Sequence, residues 1–378
     1  MNIREFVGKK RLHLFQDEKV VNDAINFFEK VFPDENIYVV LTKDGVVDLV
    51  KEQPNTFFLL YDTDDVVNMV NAGCGTQEII VHSMGYRMAL IVGKLNHPNI
   101  TWVIWGGDLF EPLLKSMGYK LYLDGTPQYM DSPSYMPFIL YKFKCAIKEY
   151  LICRTIRKAI SRINNIATTT GTTYDLFLRY FPQYKRINKK EFFYYPIEKM
   201  LDDDIRDAYV SGKDIWINNA AHSNGNHVYI FNLIKKYNNN SIHVPLSYGD
   251  SSYASYVEKE GKNMFGKHFC PMLSFIPRND YYKRFLNSNS FIFGHLRSCA
   301  IGNIIIALYL GAKVFLFKDN PAYMHFKNMG IAIFSIDEEL TEENLYSSLS
   351  ETDRKRNREL ILEKYSMDRL LNVIKSNF

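Results

Sequence analysis

Alternation constrains this chain more than any other feature. Short runs rich in Val, Ile and Phe recur with helix-period segments between them, first within the opening 170 residues and again from Asp214 onward. Residues 12–15, 37–41, 57–61, 78–81, 100–105 and 165–169 read as strands, with helices over 20–32 and 86–95. Residues 214–217, 242–246, 269–275, 290–293, 313–317 and 331–335 repeat the pattern, with helices over 253–260 and 303–310. Strands separated by helices build βαβ units and a parallel sheet. Residues 181–212 break the rhythm with Pro182, Pro196 and the cluster Asp202-Asp203-Asp204, and read as a connector. The expected fold class is α/β, with two Rossmann-like doubly wound domains facing across a cleft. Their expected bounds are 1–195 and 196–365, with a last segment, 366–378, crossing back to the first domain. A length of 378 residues accommodates both.

Ligands of doubly wound sheets bind beyond the carboxyl ends of the strands, so the loops there are searched first. The loop Trp105-Gly106-Gly107-Asp108-Leu109-Phe110-Glu111 follows the fifth strand. Asp108 reads either as a general base for an acceptor hydroxyl or as a helix cap, with Glu111 completing a capping box. His82 ends the fourth strand at the same rim and is a second base candidate. His13, inside the first strand, reads as structural.

In the second half, Asn218 to His227 form a small polar loop that either hydrogen-bonds a sugar or phosphate or simply turns the chain. Arg297-Ser298-Cys299-Ala300-Ile301-Gly302-Asn303 enters a helix, and free amides at such an entry receive phosphate. Arg297 adds a charge-assisted contact to a diphosphate. Asp319-Asn320-Pro321 either meets a ribose or starts the next helix. Neither G-x-G-x-x-G nor G-x-x-x-x-G-K-[ST] occurs, which argues against a dehydrogenase or P-loop enzyme. Asp62 and Asp64 form an Asp-x-Asp after a strand, which either holds a divalent metal or caps the next helix.

Charge and cysteine usage bound the partners. A net charge of +4, from 46 basic and 42 acidic side chains, predicts no nucleic-acid partner. Five scattered cysteines without a C-x-x-C pair predict a reducing compartment. The N-terminal residues lack a signal-peptide core, and the longest apolar stretch, 304–317, is too short to span a bilayer. A cytoplasmic chain is expected. Residues 142–162 interleave Lys142, Lys144, Lys148, Arg154, Arg157, Lys158 and Arg162 with apolar side chains. They read either as a solvated helix face or as a face for an anionic membrane surface.

Taken together, these segments resemble the Fuc4NAc transferases of enterobacterial common antigen synthesis, glycosyltransferase family 56. The match is strongest at Ile104 to Glu111, where the family reads I-W-G-A-D-L-Y-E. It continues at His82, Ala167-Thr168, Tyr195-Pro196, Asn219, His227, Val244-Pro245, Tyr248, Phe291 to Phe293, Arg297, Ile301-Gly302 and Asn320-Pro321. The chain departs at Ser298-Cys299-Ala300, where the family has Gln-Gln-Gly, and at His222-Ser223, where it has Asp-Arg. Both departures fall where a nucleotide sugar would bind, so a relative making another surface polysaccharide, such as an O-antigen, fits as well.

The resemblance implies a GT-B fold, a dTDP-sugar donor on the second domain, a polyprenyl-diphosphate-linked glycan acceptor, and no required metal or cofactor. It implies a peripheral enzyme at the cytoplasmic face of the bacterial inner membrane. Asp108, His82 and Glu111 would serve catalysis. Asn219, His227, Tyr248, Arg297, Ile301, Gly302, Asn303 and Asn320 would bind the donor. Two other readings stand beside it: a metal-dependent transferase using Asp62 and Asp64, and a non-catalytic sugar-nucleotide-binding protein of a polysaccharide assembly complex.

Overall fold

The computed structural model describes residues 8–127, 137–237 and 240–378. The residues read above for a signal peptide lie outside that set. The chain divides into two units: one of Met1–Tyr119, Phe143–Tyr194 and Asp368–Phe378, the other of Lys120–Lys142 and Tyr195–Met367. Residues 120–127 and 137–142, inside the first domain by sequence, therefore group with the second.

Among the described residues the first unit carries seven parallel strands: β1 (Arg11–Gln16), β2 (Asn36–Thr42), β3 (Thr56–Leu60), β4 (Glu78–His82), β5 (Ile100–Val103), β6 (Asn165–Thr168) and β7 (Asn188–Glu191). Their spatial order is β3-β2-β1-β4-β5-β6-β7. Every residue of β2, β4 and β5 is buried, as expected where helices cover both faces of a parallel sheet. The order reverses between β1 and β4, the kind of switch point beside which doubly wound sheets bind ligands. The last residues of the chain belong here: Arg11 donates to the Phe378 carbonyl at 2.8 Å, and Arg369 meets Glu191 at 3.0 Å.

Among the described residues of the second unit six parallel strands follow the same plan: β8 (Asp214–Ile217), β9 (Ile242–Pro245), β10 (Phe269–Met272), β11 (Ser288–Phe293), β12 (Lys313–Leu316) and β13 (Phe334–Ser335), ordered β10-β9-β8-β11-β12-β13. Its switch point lies between β8 and β11. Ile215, Ile217, Ile230, Phe231, Val244, Val257, Ile292 and Phe315 pack together in its core.

β7 falls inside the stretch read from sequence as a connector. Its sequence, Asn-Lys-Lys-Glu, has no apolar residue to reveal a strand. It holds the sheet edge through charge instead. Lys190 donates to Glu78 at 2.6 Å, and the Glu78 carboxyl is almost wholly buried and also accepts from Thr101. The neighbouring pair Lys189–Asp175 is half-exposed at 3.0 Å. Among the described residues no helix is long and apolar enough to cross a membrane.

Removing one partner of a buried ion pair costs about 3–5 kcal/mol, against at most about 1 for an exposed pair. Lys190→Ala should therefore lower the chemical-denaturation stability of the first unit far more than Lys189→Ala. Equal effects would refute the charge-held edge.

Candidate functional site

In the first unit the site region is built by one carboxylate. Asp108 sits in the short helix Gly107–Leu109 and is buried. Its Oδ2 accepts from the Met84 amide (2.9 Å) and the Trp102 indole (2.8 Å). Its Oδ1 accepts from the Trp105 (3.1 Å) and Gly106 (2.9 Å) amides. Four donors fill the four lone-pair positions of the carboxylate. Burial pushes the Asp108 carboxyl up, and the four N–H groups oppose that shift. Gly106 makes the arrangement possible: its φ of 103° suits only glycine. Asp108 thus ties the turn after β4 to the loop after β5.

This corrects two readings. A carboxylate with no lone pair to spare cannot take an acceptor proton. Nor does Asp108 cap its helix in a box with Glu111: it reaches back to the two residues before the helix. Glu111 lies one turn on, half-buried.

His82 is completely buried at the switch point. Its Nδ1 faces Tyr194 Oη at 2.5 Å, its Nε2 faces His13 Nδ1 at 3.1 Å, and its ring stacks on Phe15 at 3.8 Å. His13 Nε2 meets Asn36 Oδ1 at 3.4 Å, and Asn36 Nδ2 donates to Glu29 at 3.0 Å. The Trp105 indole donates to Tyr194 Oη at 2.9 Å. These contacts admit one direction. Tyr194 donates to His82, His82 to His13, and His13 to Asn36. Burial holds the His82 imidazole well below its usual range and brings His13 down to about 3, so both are neutral. His82 is corrected from base candidate to internal support, because both its nitrogens are engaged.

The second unit's switch point is shaped by asparagines. Asn218, with left-handed φ of 57°, donates to the Gly225 carbonyl (2.8 Å) and accepts from the Gly294 amide (2.8 Å). Asn226 donates to the carbonyls of Asn224 (3.0 Å) and Gly294 (2.8 Å) and accepts from Leu123 (2.8 Å). A Cβ on Gly294 would lie 2.4 Å from the Gly225 carbonyl oxygen, so the loops after β8 and β11 touch backbone to backbone.

Asn219 Oδ1 and His227 Nε2 are among the polar atoms of this region that are buried without a hydrogen-bond partner among the described residues. His227 Nδ1 meets Tyr253 Oη at 3.3 Å. Burial, with His295 and His222 nearby, brings the His227 imidazole down to about 3.

Arg297 lies largely buried after β11. Ala300 enters the helix Ile301–Tyr309 with φ of 56°, a left-handed conformation natural to the glycine found there in the resembled family. The first in-helix bond runs from the Ile304 amide to the Ala300 carbonyl, leaving the amides of Ile301, Gly302 and Asn303 to other partners. The Asn303 side chain is engaged with Tyr281 and Tyr282. Asn320 donates to the carbonyls of His295 and Arg297 and accepts from the Ala322 amide. Asn320 therefore caps its helix and braces the Arg297 loop, with both of its amide hydrogens spent on that loop. Tyr248 is exposed, edge-on to His222.

Asp62 and Asp64 lie exposed on the surface, and Asp64 pairs with Lys94 at 2.8 Å. Asp64 makes no capping bond; Thr63 Oγ1 accepts from the Asp65 amide instead. Among the described residues no three His, Cys, Asp or Glu side chains gather to hold a metal ion. Sequence reasoning missed Tyr194 and Trp105, whose aromatic type gave no sign that they cap a histidine column.

No family model matches the chain. Solved structures match over nearly its whole length. A glycosyltransferase from Rickettsia africae ESF-5 aligns at 9% identity and TM-score 0.58, covering 96% of each chain. An α,α-trehalose-phosphate synthase (UDP-forming) from Burkholderia vietnamiensis aligns at 11% and 0.59, covering 97% of this chain and 98% of its own. A sucrose-phosphate synthase from Thermosynechococcus elongatus aligns at 8% and 0.59, covering 96% and 97%. The fold is thus α/β of the GT-B type, with two Rossmann-like parallel-sheet domains.

Two outcomes test this description. Asp108→Asn turns an NH2 group against inward-pointing N–H donors, and should cost about 3 kcal/mol in urea unfolding; an unchanged midpoint would contradict the cage. The buried neutral histidines refuse protons that the unfolded chain accepts below pH ~6.5, so their contribution to stability is present above that pH and lost on acidification. The parent should lose stability between pH 7 and 5, and His82→Gln should lose less over the same range. Identical slopes would place His82 elsewhere.

Proposed function

We propose that this protein is a glycosyltransferase that moves a sugar from a nucleotide-diphosphate donor to a lipid-linked glycan. The observation that carries this reading is the second switch point. Asn219 Oδ1 and His227 Nε2 are buried without a hydrogen-bond partner among the described residues there, and the adjoining strand β11 leads to Arg297 and the first-turn amides of Ile301, Gly302 and Asn303, which make no in-helix bond. A departing diphosphate develops negative charge, and preorganised N–H groups with an arginine stabilise that charge. The shared fold with solved glycosyltransferases, one of them UDP-forming, supports the reaction class.

The resemblance to the Fuc4NAc transferases supports a dTDP-sugar, Fuc4NAc or a related deoxyamino sugar. It also supports a polyprenyl-diphosphate-linked acceptor in surface polysaccharide synthesis. Tyr248 and Asn219 would position the donor. Glu111, half-buried one turn beyond Asp108, would deprotonate the acceptor. The helix Phe138–Ile160, with exposed basic and apolar side chains, would hold the protein peripherally on the anionic cytoplasmic face of the inner membrane.

A thermal-shift screen tests the donor class. dTDP should raise the unfolding midpoint above UDP, GDP and NAD, and His227→Ala should abolish the shift. With the donor in hand, Arg297→Ala should lower kcat by about 100-fold, the scale of losing one charge-stabilising donor. No response to any nucleotide would defeat the proposal.

A further inference from the structure

The membrane-facing helix carries more than a charged surface. Phe143, Ile147, Tyr150 and Leu151 recur at helical spacing and are all exposed, Phe143 by 67% and Tyr150 by 66%. Spacings of three and four residues place them on one side of the helix, and Arg154 follows at the same interval. From Phe143 to Arg154 the stripe runs about 16 Å. That is close to one leaflet of a hydrocarbon core about 30 Å thick.

The stripe ends at a cavity of 530 Å³ within the first unit. Its walls include Ser116, Glu149, Tyr150, Cys153, Arg154 and Arg157. Glu149 is already neutralised by Lys115 at 2.9 Å. Among the described residues the Arg157 guanidinium meets the neutral Ser116 hydroxyl, at 3.4 Å, and neither it nor Arg154 forms an ion pair. The cavity therefore carries two guanidinium charges without a carboxylate to answer them. Guanidinium groups pair with phosphate in two-pronged fashion, and a serine hydroxyl adds a further donor.

We propose that this cavity binds the phosphate headgroup of a membrane phospholipid, with an acyl chain lying along Tyr150, Ile147 and Phe143. This rests on the membrane reading above and sharpens it: attachment is a saturable site at Arg154 and Arg157, not a diffuse attraction shared by every cation of residues 142–162.

The test compares two variants of the full chain, Arg154→Gln/Arg157→Gln and Lys144→Gln/Lys148→Gln, each checked for an unchanged thermal midpoint. Sedimentation uses phosphatidylcholine vesicles with and without phosphatidylglycerol. Calorimetry uses monomeric dihexanoyl phosphatidylglycerol and, separately, inorganic phosphate. The arginine pair should lose at least about tenfold more vesicle affinity than the lysine pair, because diffuse attraction counts every surface cation alike. The short-chain lipid should saturate on the parent and not on the arginine variant. Equal losses in both variants would overturn the headgroup site while leaving membrane attachment standing. Inorganic phosphate binding as tightly as the lipid would overturn the lipid assignment. A parent chain that ignores phosphatidylglycerol vesicles would remove the membrane reading itself, and the site with it.

Discussion

Buried loops at a strand switch point must satisfy their own backbone. A parallel sheet that changes winding direction leaves its strand-end loops packed inside the domain, where an unpaired amide or carbonyl is costly. In the first unit one carboxylate meets the need, with Asp108 collecting amides from two loops and an indole besides. In the second unit the same need is met by side-chain amides. Asn218, Asn226 and Asn320 each offer a donor and an acceptor to loop backbone, so each behaves as a displaced peptide group. Asn219 Oδ1 and His227 Nε2, which this accounting leaves without a hydrogen-bond partner among the described residues, are groups a ligand would find.

The same accounting separates what was legible in the sequence from what was not. Of the thirteen strands among the described residues, twelve fall in stretches legible as strands, and the interior ones such as β2 and β5 are apolar because both of their faces are buried. The exception, β7, lies at a sheet edge and carries Asn-Lys-Lys-Glu. Its stabilisation comes from Lys190 reaching the buried Glu78, a partner more than a hundred residues away that no local pattern reveals.

Site residues were legible as positions and not as roles. Asp108, His82 and Asn320 do lie at strand-end loops, as expected. A polar residue there has the same spelling whether it faces a substrate or holds the loop in place, and for these three the hydrogen bonds decide for the loop. Asn219 and His227 present the opposite case: polar atoms enclosed by the fold and left unanswered by it. Asn303 combines both behaviours, its side chain held by two tyrosines while its amide belongs to the open first turn of the helix.

One consequence follows from the histidine column. Its polarity is anchored at Asn36, whose Nδ2 is spent on Glu29 and the Phe32 carbonyl, so that its Oδ1 can only accept. That acceptor fixes one tautomer for His13, then one for His82, and assigns the Tyr194 hydroxyl hydrogen to His82, while the Trp105 indole takes a lone pair of the same hydroxyl. The ring nitrogens of His13 and His82 are therefore a built-in reporter of the Asn36 amide's orientation, readable by nitrogen resonance without any added label.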